Sequence, residues 1–156
     1  MSRYASETTV SVEKSRAEIE SILRRYKADA FGYATNAESA MLYFQMVGRR
    51  IKFVLPMPDP KAREFTHTPA RGQLRSALEA ERAWEQACRQ RWRALALVIK
   101  AKLEAVAAGI TTIEAEFLAH TVLPDGSTVG EAMLPRIAQA YQDGHMPALM
   151  LEGSRS

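Results

Sequence analysis

AMLYFQMVGRRIKFVL, residues 40–55, is the stretch that decides the fold. Two runs of strand-forming residues flank a glycine, and each alternates with a period of two, as a sheet with one covered face requires. Reading Gly48 and Arg49 as the two turn residues pairs Met46 with Ile51, Phe44 with Phe53 and Leu42 with Leu55. The other face then sets Val47 against Arg50, Gln45 against Lys52 and Tyr43 against Val54. The first set is wholly apolar and belongs in the core; the second is mixed and faces solvent or a partner. Upstream, AFGYAT (30–35) passes through Asn36-Ala37-Glu38-Ser39 and supplies a third strand, while Pro56 ends the ladder.

Helices are expected on both sides of this meander. From a cap at Ser11, VEKSRAEIESILRRYKA brings Val12, Ile19, Ile22, Leu23 and Tyr26 to one side at helical spacing. PMPDPKAREFTHTPARG (56–72) reads as a long proline-punctuated loop. A long helix is expected from near Gln73 to Ala108, stopped by Gly109. A capping box at Thr111 and Glu114 opens a short helix through His120, and one at Thr128 and Glu131 opens a last helix to Asp143-Gly144, kinked or split at Pro135. The expected organisation is a flexible tail (1–11), one α+β domain (12–145) and a C-terminal tail (146–156) bearing Met146, Leu149, Met150 and Leu151. The fold class is α+β: a three-stranded antiparallel meander against one long helix and an N-terminal helix, with two shorter C-terminal helices completing the core.

Composition narrows the function classes. Apolar residues are 47% of the chain and charged residues 25%, as in ordinary globular domains. No run approaches the roughly 20 apolar residues that span a bilayer, and MSRYASETTV has no apolar stretch of signal-peptide type. One cysteine, Cys88, excludes an internal disulfide framework and suits a reducing cytoplasm. A cytoplasmic protein without membrane partners is expected. The net charge of +3 hides an uneven distribution. Residues 1–48 are balanced, residues 49–102 carry 13 basic and 5 acidic groups, and residues 103–156 carry 2 basic and 7 acidic groups. Such asymmetry marks a polyanion-binding face or a surface for self-association.

RQRWRALALVIKAKLEAV (89–106) sharpens this point. At 100° per residue, Trp84, Cys88, Trp92, Leu95, Ile99, Leu103 and Val106 share an arc of about 100°, a core stripe. Arg75, Arg82, Arg89, Arg93 and Lys100 share a separate arc of about 40°. That basic stripe is either a phosphate-backbone contact, gaining from counterion release, or a solvated face neutralised by pairs such as Arg75–Glu79, Glu85–Arg89 and Lys100–Glu104. On the sheet, Tyr43 beside Gln45, Arg50 and Lys52 has the chemistry of a stacking platform for single strands if Tyr33 joins the same face; otherwise it is the ordinary wet face of an antiparallel sheet.

Catalytic signals are sparse. His67, His120 and His145 show no metal-ligand spacing, and no glycine-rich phosphate loop, CxxC pair or nucleophile elbow is present. His67 near Glu64 and Arg63 is the one pairing with acid–base potential, His120 reads as a helix-end partner, and Cys88 reads as a small core residue. Glu81 falls on the core arc and would need a partner such as Arg91 or Lys27 if buried. No cofactor and no metal are expected.

Four segments together, VSVEKSRAEIESILRRYKADAFGY, VGRRIKFVLP, WEQACRQRWRALALVIKAKLEAV and EFLAHTVLPDGSTVGEAMLPRI, resemble a group of small bacteriophage- and prophage-encoded proteins of unknown function. The likeness spans about Thr9 to Leu151 and implies a phage-derived protein acting in a bacterial cytoplasm. The order helix, meander, long helix is also similar to the core of some phage single-strand annealing proteins, an analogy of element order alone. The leading expectation is therefore a non-enzymatic nucleic-acid-binding accessory protein of phage DNA metabolism, single-stranded DNA favoured. Arg49, Arg50, Lys52 and the helical stripe would contact phosphates, and Tyr43 would stack on a base. The alternative is a protein-interaction module that binds a host or phage protein or self-assembles. A third reading is an enzyme using His67 and Glu64.

Overall fold

In the computed structural model, which describes Ala5 and residues 7–145, the β-hairpin is the centre of the molecule. Strands β1 (Ala30–Thr35), β2 (Ser39–Met46) and β3 (Arg49–Pro56) form one antiparallel sheet in the order β1-β2-β3. Leu42, Phe44, Met46, Ile51 and Phe53 are buried on one face, as the alternation requires. The pairing within the hairpin differs from the sequence expectation. The turn residues are Val47 and Gly48, and the register is Met46↔Arg49, Gln45↔Arg50, Phe44↔Ile51, Tyr43↔Lys52 and Leu42↔Phe53. Val47 and Gly48 both take positive φ (47° and 70°), which matches the strand twist and makes the shortest connection. Moving the turn one residue back slides the two strands by two positions, so every side chain keeps its face while every partner changes. The β1–β2 turn is as expected: the Asn36 side-chain carbonyl accepts from the N–H groups of Glu38 (2.8 Å) and Ser39 (2.7 Å).

A β-branched residue is costly in the left-handed region, where L-residues lose about 1–2 kcal/mol. Val47→Asn keeps that conformation at lower cost and supplies the Asn-Gly pair such turns prefer. It is expected to stabilise the fold by about 1 kcal/mol, read as a higher denaturant midpoint with an unchanged slope.

Helix α1 (Val12–Arg25) begins at Ser11, whose hydroxyl accepts from Lys14 N–H (3.1 Å), and it buries Ile19, Ile22 and Leu23. In the segment before it, Gln86 Nε2 donates to the Thr8 carbonyl (2.8 Å), and Ala5 is buried. After β3 the chain makes a one-turn helix, α2 (Arg63–Thr66), whose Phe65 is buried. His67 then bridges back to Leu74, so the long loop has structure of its own. Helix α3 (Ala77–Ala107) starts four residues later than expected. Its cap is Ser76, in a reciprocal capping box with Glu79, and Arg75 lies outside the helix. Cys88, Trp92, Leu95, Ala96, Ile99 and Leu103 face the core as the seam predicts. Glu81, on the same arc, is exposed, so it needs no buried partner.

Thr112, not Thr111, caps α4 (Ile113–Glu116), and a 3₁₀ turn (Leu118–His120) follows. Phe117 between them is fully buried, edge-on to the rings of Phe44 (5.5 Å) and Phe53 (6.1 Å). Helix α5 (Val129–Asp143) opens with the expected Thr128–Glu131 capping box, runs through Pro135 as one helix, and ends at the left-handed Gly144. It does not complete the core. Only Gly130 is buried, so close to the 3₁₀ turn that an added Cβ would lie 2.9 Å from the Ala119 carbonyl oxygen. Leu134, Ile137 and Tyr141 are exposed, and the expected apolar tail (146–156) lies outside the described residues. The α+β class stands, with α1 and α3 forming the layer over the buried sheet face.

Candidate nucleic-acid interface

One side of a three-stranded sheet accommodates about two helices, and here both lie over the buried face. Tyr43, Gln45, Arg50, Lys52 and Val54 therefore point away from the core. The observed register improves the constellation: Tyr43 stands directly across from Lys52, and Gln45 from Arg50. Cross-strand neighbours on one face have Cβ atoms about 4.5–5.5 Å apart, so a cation sits beside the aromatic ring rather than two residues away. Tyr43 is half-buried and its Oη donates to Met41 Sδ (3.2 Å). Arg49 and Arg50 are exposed at the hairpin. Lys52 is the most enclosed of the three, with its Nζ 3.8 Å from Glu131 Oε1 and its side chain 15% exposed. Ala30, Tyr43, Gln45 and Arg50 line a shallow hollow of about 270 Å³.

Tyr33 does not join this face. It pairs with Leu42 on the core side, meets Trp92 edge-on (5.9 Å), and donates its Oη to the Arg16 carbonyl (2.9 Å). Burial pushes its hydroxyl pKa up, with the nearby Glu20 acting in the same direction. Two rings on one open surface, the platform condition, is not met.

The basic stripe is divided by tertiary contacts. Arg75 lies before the cap and donates to the carbonyls of Glu64 (3.3 Å) and Phe65 (3.1 Å), so it fastens the loop. Glu79 serves the capping box, not Arg75. Arg89 donates its Nε to Gln86 Oε1 (3.0 Å), and Arg93 forms an ion pair with Glu18 of α1. Arg82 and Lys100 are the exposed members. Sequence spacing assigned partners within the helix, whereas the Arg93 partner comes from 75 positions away, which spacing cannot show.

The histidines take different roles. His67 shares an open hollow of about 690 Å³ with Arg63, Glu64 and Thr68, and its Nδ1 lies 2.7 Å from Thr66 Oγ1. The i, i+3 spacing of Glu64 and His67 on one helical turn was the available signal. His120 closes the 3₁₀ turn, and its ring stacks on Phe53, with centroids 3.9 Å apart and planes 16° apart. Desolvation lowers its pKa and the Lys102 charge lowers it further, against a hydrogen bond to the Lys52 backbone. Cys88 is buried and desolvation pushes its thiol up, away from thiolate chemistry. Among the described residues no three His, Cys, Asp or Glu side chains gather as a metal site would need, and no helix is long and apolar enough to cross a membrane.

The His120 shift gives a pH dependence with a definite sign. Its folded pKa lies below the unfolded value of about 6.5, so the unfolded chain takes up the proton first. The neutral ring's contribution is fully present above about pH 6.5 and is lost as pH falls through the folded pKa. Melting temperatures recorded from pH 7.5 to 5 should fall more steeply for the natural chain than for His120→Gln.

No family model, curated protein or solved structure matches the chain.

Proposed function

We propose that the chain is a non-enzymatic nucleic-acid-binding protein that docks single strands on its uncovered sheet face. The observation that carries this reading is the register that sets Tyr43 beside Lys52 and Gln45 beside Arg50, with Glu131 of α5 reaching Lys52. Arg50 and Lys52 meet phosphates on this face, Tyr43 offers its ring to one base, and Gln45 has both donor and acceptor for a base edge; Arg49 stands across from buried Met46, on the other side of the strand, and reaches a phosphate only around the hairpin tip. A single aromatic gives affinity with little sequence preference, which suits an accessory role in nucleic-acid metabolism. The resemblance to phage-encoded proteins supports a place in phage DNA metabolism within the bacterial cytoplasm. Arg82 and Lys100 are free to add a second, weaker line of phosphate contacts.

The test is fluorescence anisotropy with labelled single-stranded DNA, duplex DNA and RNA across a salt series. The reading requires binding at low salt that weakens steeply as salt rises and favours single strands. Negligible binding at low salt would overturn it. Protein binding, the second reading, draws on the exposed apolar side chains of α5 and would then stand first.

A further inference from the structure

The two edges of the sheet are treated differently. The β3 edge is paired at its start, where Thr121 bridges to Ile51 and Val122 N–H donates to the Arg50 carbonyl (2.8 Å). At β1 no described segment pairs with the outer side of the strand. Asn36 N–H donates to the Ser39 carbonyl (2.9 Å), which fixes the phase of the ladder. Antiparallel pairing alternates, so residues 30, 32 and 34 turn their backbone groups toward β2, and Phe31, Tyr33 and Thr35 present theirs outward. Natural sheets blunt such edges with lysine, proline, a bulge or a very short strand. AFGYAT uses none of these; it is uncharged and keeps unbroken register with β2 over all six residues.

The helix beside this edge carries an independent signal. Tyr33 bonds to the Arg16 carbonyl, and the Arg24 guanidinium lies 5.9 Å from the centre of the Phe31 ring, so α1 runs antiparallel alongside β1. Glu13, Arg16, Glu20 and Arg24 fall within about 80° of one another on α1 and alternate in sign along it. Reversing that order inverts every sign. Two such flanks laid antiparallel bring Glu13 against the partner's Arg24 at both ends of the seam, while the Arg16 guanidinium is turned inward onto Trp92 (4.4 Å) and Glu20 is already paired with Arg24 of its own helix (2.6 Å). The centre of the pattern, near residue 18, lies close to Tyr33, the middle of the bare backbone groups. One two-fold axis therefore serves both strand and helix.

We infer that the chain forms a two-fold symmetric dimer through β1. Tyr33 pairs with the partner's Tyr33 and Phe31 with the partner's Thr35, and the α1 flanks match charge across the seam. The charge asymmetry between the middle and the end of the chain pointed to self-association, but the geometry assigns it to a different surface. The dimer does not depend on nucleic-acid binding. It does join the two sheets into one six-stranded surface carrying two sets of Tyr43, Gln45, Arg50 and Lys52.

Sedimentation velocity of the full chain over a wide concentration range tests this, with hydrogen exchange at the β1 amides. The expected result is a reversible dimer whose Phe31, Tyr33 and Thr35 amides are protected in proportion to association. Arg24→Glu, at a side chain 71% exposed, also breaks the ion pair with Glu20 of its own helix (2.6 Å), so its fold is checked by circular dichroism, and it should weaken the dimer at least tenfold. Adding Glu13→Arg to that variant should restore it. Thr35→Pro removes an outward N–H and should weaken it too, while the charge swap does not depend on how proline affects the turn. A monomer at every concentration overturns the inference, as does a dimer indifferent to Arg24→Glu.

Discussion

Trp92→Ala is expected to lower stability by about 3–5 kcal/mol, a large share of the roughly 5–15 kcal/mol that holds a domain together. Trp92 is 1% exposed at the middle of α3 and joins three elements. The Tyr33 ring of β1 meets it edge-on, and the Arg16 guanidinium of α1 lies 4.4 Å from its centre. Truncation leaves a cavity and also removes the surface against which Arg16 is stacked. The Arg16 Nε is already buried without a hydrogen-bond partner, so its desolvation would go uncompensated once the ring is gone. Trp92→Phe retains most of the packing and should cost markedly less. Urea unfolding followed by circular dichroism distinguishes the two, and a loss of stability below about 1 kcal/mol for the alanine variant would contradict the packing described.

Arg49→Glu/Arg50→Glu is expected to lower affinity for single-stranded DNA by about a hundredfold or more at low salt. Each phosphate contact contributes about 0.7 to the salt slope on a single strand, so three cations give a slope of about −2. Reversing two of them should leave a slope near −0.7, with Lys52 alone remaining. Both side chains are exposed at the hairpin and make no internal ion pair among the described residues, so the fold should not change. Arg82→Glu/Lys100→Glu should stay within about threefold of the natural chain, because these cations lie on α3, away from the sheet face. A reversal on the helix that abolished binding, beside a harmless one on the hairpin, would move the interface to α3. Arg89 and Arg93 are poor choices for this purpose, since reversing them breaks contacts to Gln86 and Glu18.

The parts of the fold legible in the sequence are those set by periodicity. The buried faces of β2, β3 and α3 follow from spacings of two and 3.6, and burial enforces them. Register was not legible to the same degree, because it depended on Val47 accepting a backbone conformation that its side chain disfavours. The start of α3 was misplaced for a related reason: Glu79 satisfied two local patterns, a pair with Arg75 and a box with Ser76, and the cap prevailed. For the candidate site, the residue types on the sheet face could be read from alternation. The fate of the basic stripe could not, because Glu18 and the loop carbonyls reach it only through tertiary packing. The modest burial of α5 was also hidden, since its apolar residues look like any core stripe until the body ends beneath them.

Glu131 holds two obligations at once. Its carboxylate accepts from the Thr128 N–H (3.2 Å) at the start of α5, and it is also the acid nearest to Lys52. An anion that takes up Lys52 relieves Glu131 of the second obligation, and fraying of the first turn of α5 removes it altogether. Occupancy of the sheet face and local opening of α5 are therefore thermodynamically linked, each shifting the other by the same factor. With Gly130 its only buried residue, α5 is the natural low-stability unit of the molecule, and its amide exchange would register the charge state of a surface it scarcely touches.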